Sequence, residues 1–310
     1  MVVVCLGEAL IDLVPLFGES ARTTATLTVQ PGGAPLNVSV GLARLDCESL
    51  FLGCLSEDSF GLRLREVLER EHVRRVPSDP VLNPTRLAVV DHTNAIAPFR
   101  FYGDTPADSR LLGAHIDDAF RSDRITGLYV GSLMMTNESG ESAQRYAIQR
   151  AAELAVPIYA DPNPRPSAWP SQEDMIAVTE YLLTSSSLAK LSIDDATVLG
   201  WPVDPMELIG WCEDRFGTQI FVTGGAAGCW ANVDGRIAHI QPPEIVAVDP
   251  TGAGDASFSA LITSVQQVGQ LSEEGLRFAS AAGAITTLTR GAIAAFPSLD
   301  QIESFLAEWG

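Results

Sequence analysis

The sequence lacks the residue patterns that would announce several common chemistries. Its five cysteines, Cys5, Cys47, Cys54, Cys212 and Cys229, are odd in number, scattered and never arranged as a Cys-x-x-Cys pair. Neither a zinc site nor a disulfide framework is signalled, and a reducing compartment is expected. No apolar run approaches the ~20 residues of a membrane span. The apolar N-terminus is interrupted by Glu8 and Asp12 with no basic stretch before it, which argues against a secretory signal and for a cytoplasmic location. Basic residues are scarce, 20 against 39 acidic ones, for a formal net charge of −19. Such a surface repels nucleic acid and anionic membranes at long range, which excludes both as partners. It equally repels a nucleotide triphosphate, so an anion site here must draw on backbone amides, a few local cations or a metal. Two nucleotide fingerprints are also missing: no Gly-x-x-x-x-Gly-Lys-Ser/Thr P-loop occurs, and no Gly-x-Gly-x-x-Gly follows the first strand-like run. Internal repeats, low-complexity tracts and long linkers are absent too.

What is there is an apolar chain of 310 residues, 46% hydrophobic and 19% charged, the composition of a packed globular protein. Its length suits one large α/β unit carrying an appendage. Apolar β-branched runs alternate with amphipathic stretches, as in parallel strands joined by crossover helices. Strands are expected at Val2 to Leu6, Ser49 to Cys54, Gly127 to Leu133, Pro157 to Ala160, Tyr181 to Thr184 and Gln219 to Thr223. Helices are expected at Phe60 to Arg70, Ser142 to Ala155 and Met206 to Phe216. The economical reading is a three-layer α/β/α fold with a doubly wound, mostly parallel sheet, forming one domain over residues 1–310. Two regions break the alternation: residues 13–30, rich in threonine, and residues 85–103, which read as two short strands around Asn94. Together they would form a small β-sheet lid over the cleft at the strand ends, with surface hairpins as the ordinary alternative. A lid of this kind, with open edges and apolar surface, would suit pairing in a homodimer.

The most informative segment is Val248-Asp249-Pro250-Thr251-Gly252-Ala253-Gly254-Asp255-Ala256-Ser257-Phe258. It follows a strand-like run, Glu244 to Val248, and opens a helix whose apolar positions Phe258, Leu261, Ile262 and Val265 recur at helical spacing. Gly252 and Gly254 allow restricted backbone angles and close approach of a ligand, and the first helical N–H groups carry partial positive charge. An anion pocket therefore forms without a cationic side chain, which answers the constraint set by the net charge. Asp255 on the same turn is placed to accept a proton from an attacking hydroxyl during phosphoryl transfer. A lone Gly-x-Gly with an acidic cap is usually an ordinary turn, whereas the whole Asp-x-Thr-Gly-Ala-Gly-Asp string is far more specific.

Thr251-Gly252-Ala253-Gly254-Asp255, with Gly32-Gly33-Ala34-Pro35-Leu36-Asn37 near the N-terminus, resembles the paired signatures of the ribokinase-like (PfkB) carbohydrate kinases. The resemblance runs along nearly the whole chain and is nearest to the bacterial fructokinases. Gly7 to Asp12, Phe101-Tyr102, Pro106-Ala107-Asp108, Asp161 to Pro166 with Trp169, Lys190 to Ser192, Val222 to Gly225 with Gly228, and Arg290 to Ala292 fall in the family's order and spacing. What it implies is ATP-dependent phosphorylation of a sugar hydroxyl, with Asp255 as base and the Gly252 to Asp255 backbone, Ala253 and Gly254 included, as anion hole. It further implies ATP with magnesium and often a monovalent cation such as potassium, held by Asp249 and Thr251. Thr223, Gly225 and Gly228 would border the nucleotide, with Lys190 near it and Asn163 near the phosphates.

At the sugar end, Asp12, the Gly32-Gly33 backbone and Asn37 resemble the family's sugar contacts. Each also has an ordinary reading, as a strand-end cap, a turn and an exposed helical residue. Tyr102 would reach over the sugar from the lid, and Arg165 could serve sugar or phosphate. Three positions depart from the family pattern. Gly103 stands where an arginine commonly follows the lid aromatic pair, which leans toward a neutral sugar over an acid sugar. Asp195 replaces a glutamate associated with magnesium, and Ser280 replaces an asparagine near adenine or ribose. Fructose is the leading acceptor. 2-keto-3-deoxygluconate, ribose or a nucleoside remain within the same chemistry, and a non-catalytic sugar- or nucleotide-binding regulator is the reading from a different class.

Overall fold

A computed structural model describes residues 2–16, 19–90, 99–122 and 124–309 of the chain. The alternating apolar runs become strands β1 (Val2–Leu6), β2 (Leu10–Pro15), β3 (Leu27–Gly32), β4 (Ser49–Leu52), β5 (Arg74–Val76), β6 (Arg86–Val90) and β7 (Phe99–Tyr102). They continue with β8 (Ile125–Gly131), β9 (Ile158–Asp161), β10 (Leu188–Ser192), β11 (Gln219–Thr223), β12 (Cys229–Val233) and β13 (Arg236–Ile240). Among the described residues, nine form a sheet in the order β13-β12-β11-β10-β9-β8-β1-β4-β5. It is parallel from β11 to β5 and antiparallel at the β11, β12, β13 edge.

The central strand shows why these runs read as continuously apolar: β1 is buried at every position, because both faces of a parallel sheet are covered. Val2, Val4 and Leu6 pack with Ile148, Leu182 and Ile209 from the Glu138–Glu153, Gln172–Ser185 and Pro205–Phe216 helices. Val3 and Cys5 point the other way, to Val38, Phe258 and Leu276 of the Ala34–Arg44, Ala253–Val268 and Glu273–Thr286 helices. Helices on both faces make the expected three layers.

Two expected strands are corrected. Tyr181 to Thr184 is the end of the Gln172–Ser185 helix, which Ser171 caps by accepting from the Asp174 amide. The strand lies just beyond, at β10. A short apolar run does not distinguish strand from helix, and here Met175, Val178, Leu182 and Leu183 are buried at helical spacing. Glu244 to Val248 is irregular, with Val246 and Val248 exposed. Pro242 and Pro243 lack the N–H donors that would extend the sheet past β13, and the Val248 and Asp249 amides turn instead to the Thr287 carbonyl.

A second, four-stranded sheet has the order β3-β2-β6-β7. Residues 13–30 contribute to β2 and β3 and residues 85–103 to β6 and β7, while the expected turn around Asn94 lies outside the described residues. Asp12, expected at the end of the first strand, belongs to this sheet and pairs with Gln30 and Ala88. The sheet is fastened at its base by Arg86, whose Nη2 and Nε meet Asp108 at 2.6 and 3.3 Å, both side chains being buried. Asp58 adds a second tie, accepting from the Gly61 amide at its helix start and from the Thr85 amide and hydroxyl. No helix of the described residues is long and apolar enough to cross a membrane.

Removing one partner of a buried ion pair strands the other charge at a cost of about 3–5 kcal/mol. Arg86→Met is therefore expected to lower the unfolding free energy read from urea denaturation by that much, and Arg86→Met with Asp108→Leu to restore most of it.

Candidate active site

The C-terminal ends of β1, β9, β10 and β11 open on one side of the large sheet, where open α/β sheets bind ligands. Above them the Ala253–Val268 helix starts from Gly252, which takes a left-handed φ of 80°. A Cβ there would come within 2.7 Å of the Ala292 side chain and 2.9 Å of Phe296, so glycine is required twice over, by angle and by space. No side chain caps this helix start. The Ala253 amide closes the turn on the Pro250 carbonyl, and no described hydrogen bond takes the amides of Gly254 and Asp255. Those two carry the positive end of the helix toward the cleft. The turn itself is knotted by Asp249: its Oδ1 accepts from the Thr251 amide and hydroxyl at 3.0 and 2.6 Å, and its Oδ2 from the Gly291 amide at 2.9 Å.

Asp255 is partly buried, and its Oδ2 accepts from the Asn37 amide at 2.8 Å. Burial, followed by the charge of Asp161, pushes its pKa up to about 6, against the Asn37 hydrogen bond, Lys190 and Arg165. It is a carboxylate that stays ionised at neutral pH yet binds a proton more readily than a free one. Asn37 is buried, correcting the exposed alternative, and its Oδ1 has no partner in the protein. An orphan acceptor beside the carboxylate suits a ligand hydroxyl, since leaving it unpaired costs about 1–3 kcal/mol.

Asp12 lies on the same cleft. Burial first, then the charge of Asp255, raises it to about 7, with Arg165 opposing. A Cβ on Gly32 would stand 2.2 Å from Asp12 Oδ2, and one on Gly33, at φ 104°, 2.7 Å from the Glu8 carbonyl. This pair of glycines lets the backbone close under Asp12. Glu8, which the sequence reading did not single out for the site, is buried with Oε2 unpartnered, and desolvation raises it to about 8.

Lys190 Nζ contacts both oxygens of Asp161, at 3.0 and 2.9 Å, in a buried pair. Burial disfavours its ammonium, but Asp161, Asp195 and Asp255 outweigh that and hold its pKa above the ordinary value. Arg165 sits over the Phe99 ring, its Cζ 4.9 Å from the centroid, with Nη1 3.8 Å from Asp195 Oδ1. Asn163, at φ 44°, follows Asp161 on the same loop. Thr223 ends β11, and the Gly225–Ala227 turn beyond it is exposed, with Gly228 pinned against the Ile240 carbonyl.

Other expected residues are drawn in less closely. Register puts Asp12, Ala88 and Phe101 on one face of the small sheet and Ile11, Leu87 and Tyr102 on the other. Tyr102 thus points away from Asp12 and is 55% exposed, while Phe99 and Phe101 stack on the cleft side. Asp195 spends Oδ2 on the Ser192 amide in a capping box. Ser280 is buried within the Glu273–Thr286 helix, one turn from Gly283, which packs on Ser257. A cavity of 680 Å³ lined by Arg75, Ser78, His115 and Arg121 contains none of these groups.

Comparison with known proteins finds relatives along the whole chain. The model of the pfkB family of carbohydrate kinases matches residues 2–299. A probable chloroplastic fructokinase-6 of Arabidopsis thaliana is 32% identical, over 98% of this chain and 82% of its own. The fructokinase of Klebsiella pneumoniae is 29% identical over 97% of this chain and 98% of its own. The crystal structure of Vibrio cholerae O395 fructokinase, with fructose, ADP and calcium bound, superposes with a TM-score of 0.84 at 25% identity, covering 98% of each chain.

Carbon NMR of aspartate-labelled protein is expected to show Asp255 titrating near 6. Asn37→Leu, which keeps the bulk and removes the donor that favours the carboxylate, should move that midpoint upward; a fall would contradict the assigned hydrogen bond.

Proposed function

The chain belongs to the pfkB family of carbohydrate kinases, and from that premise we propose that it transfers the terminal phosphoryl group of ATP to fructose, giving fructose 6-phosphate, with Asp255 as general base. One observation carries this reading: the Asn37 side-chain amide holds the Asp255 carboxylate in the first turn of a helix whose start no side chain caps. The Gly252 to Asp255 turn, chiefly the Gly254 and Asp255 amides, receives charge as it develops on the phosphoryl oxygens. Asp255 takes the proton of the attacking hydroxyl as the oxygen bonds to phosphorus and ADP departs.

Asp12, the Gly32-Gly33 backbone and the free Asn37 Oδ1 form the sugar subsite, with Arg165 at its border with the phosphates. The pocket favours a neutral acceptor. Gly103 offers no side chain, and the nearby Arg86 is locked onto Asp108. Arg165 already faces the carboxylate of Asp195. A sugar carboxylate would find no uncommitted cation among these groups and would face Asp12 and Asp255, which disfavours 2-keto-3-deoxygluconate. The relatives named fructokinase support the same choice.

Thr223, Gly225, Gly228 and Ser280 border the nucleotide, with Asn163 and Lys190 toward its phosphates. Magnesium fits as a companion of the nucleotide: among the described residues no three acidic, histidine or cysteine side chains are placed so that they could hold a metal ion by themselves. The ion would be held mainly by phosphate oxygens and water, with Asp195 beside it, and would neutralise phosphate charge. A potassium ion would sit against Asp249 and Thr251. The small sheet acts as a lid and, in a cytoplasmic homodimer, as the pairing surface.

ADP release measured across fructose, ribose, tagatose, 2-keto-3-deoxygluconate and common nucleosides is expected to give the highest kcat/KM with fructose. Asp255→Asn should lower kcat by roughly 10²–10⁴ with circular dichroism and melting unchanged; near-normal turnover would refute the base. Because only the ionised carboxylate accepts a proton, kcat/KM should fall as pH drops through about 6.

A further inference from the structure

Lys190 is the only lysine in a chain with 20 basic residues, and it stands at the proposed reaction centre. Strand alternation brings it there. Leu188 and Tyr159 face the Ala253–Val268 helix in the same cluster as Phe258, so two residues on, Lys190 and Asp161 face its first turn. The register Ala189↔Ala160 sets them side by side. Lys190 Cε lies 3.0 Å and Nζ 3.5 Å from where a Gly254 Cβ would be. A compact ammonium fits beside Gly254, where a planar, bulkier guanidinium has less room.

Resting on the phosphoryl-transfer reading above, we propose that Asp161 is a positioning residue that fixes the Lys190 ammonium beneath Gly254 and offsets that ammonium's pull on Asp255. Asp161 touches no substrate; it acts through Lys190 and through its own charge. The charged and titratable groups around Asp255 are Asp161, Asp12, Glu8 and the buried Tyr129 phenol on one side of the balance and Lys190 and Arg165 on the other. Asp161 and Lys190 are bonded to each other, so removing either one tilts the balance in opposite directions.

The test combines pH profiles of kcat/KM with one NMR signal. Asp161→Asn is expected to lower kcat at least tenfold, leave the sugar KM within about twofold, and move the acid limb to lower pH. Lys190→Met should also lower kcat but move the limb to higher pH, and Lys190→Arg should not rescue. The double variant Asp161→Asn with Lys190→Met buries no unpaired charge; it should fold, stay slow, and return the limb toward its wild-type position. Limbs unmoved in both single variants, or moved the same way, would overturn the proposal. If either single variant does not fold, lysine-labelled wild type decides, since its one side-chain signal must remain that of an ammonium through the ordinary lysine range; titration below that range overturns the pairing. Should wild type phosphorylate no sugar, the functional reading fails alone, because the lysine signal and the Asp255 titration still report on the pair.

Discussion

Four carboxyl groups, Glu8, Asp12, Asp161 and Asp255, share one cleft of a protein whose net charge is −19, and each has its pKa raised first of all by burial. On the proposed reading, an anionic nucleotide has to be held beside them. Cations alone do little of the holding. Lys190 is bound to Asp161, and Arg165 is shared among Phe99, the Pro164 carbonyl and Asp195. The remaining source of positive potential is the backbone, at the start of the Ala253–Val268 helix.

That source works only if the helix start is bare and rigid. It is bare because Gly252 has no side chain to turn back on the first amides. Rigidity comes from both sides. Asp249 staples the turn to the Gly291 amide, and Gly252 packs on Ala292 and Phe296. The Phe296 carbonyl in turn accepts from Arg44, whose guanidinium is forked onto Glu71 at 2.9 Å through two nitrogens. A donor network held this firmly costs little reorganisation when charge develops, which is the condition for electrostatic stabilisation of a transition state.

Much of this was legible in the residues. The Asp249 to Asp255 string carried the turn, the helix and the carboxylate together, because its small residues sit where the apolar period changes. β1 and β11 were readable from continuous apolar runs that parallel strands alone require. What failed was local ambiguity. Tyr181 to Thr184 looked like a strand because four residues contain too little period to separate the two forms. Tyr102 looked like the lid contact because which face of an alternating strand meets the cleft depends on pairing with β6, a long-range fact. The Arg86 pairing with Asp108 and the orphan Oε2 of Glu8 have no signature in the sequence beyond a charge inside an apolar run. One signal went unused: a lone lysine among arginines marks a place where a point charge is needed and a fork has less room.

The small sheet is tied to this chemistry by chain length as much as by contact. Only three residues separate the end of β1 from β2, so Asp12 is carried into the cleft by the same segment that places Glu8. Gly33, at the other end of β3, leads directly into the Ala34–Arg44 helix that presents Asn37. The β2 and β3 pair is therefore a single loop of structure running from one wall of the pocket to the residue that orients Asp255. A shift of this sheet cannot leave the base untouched, because it pulls on the helix start through Gly33.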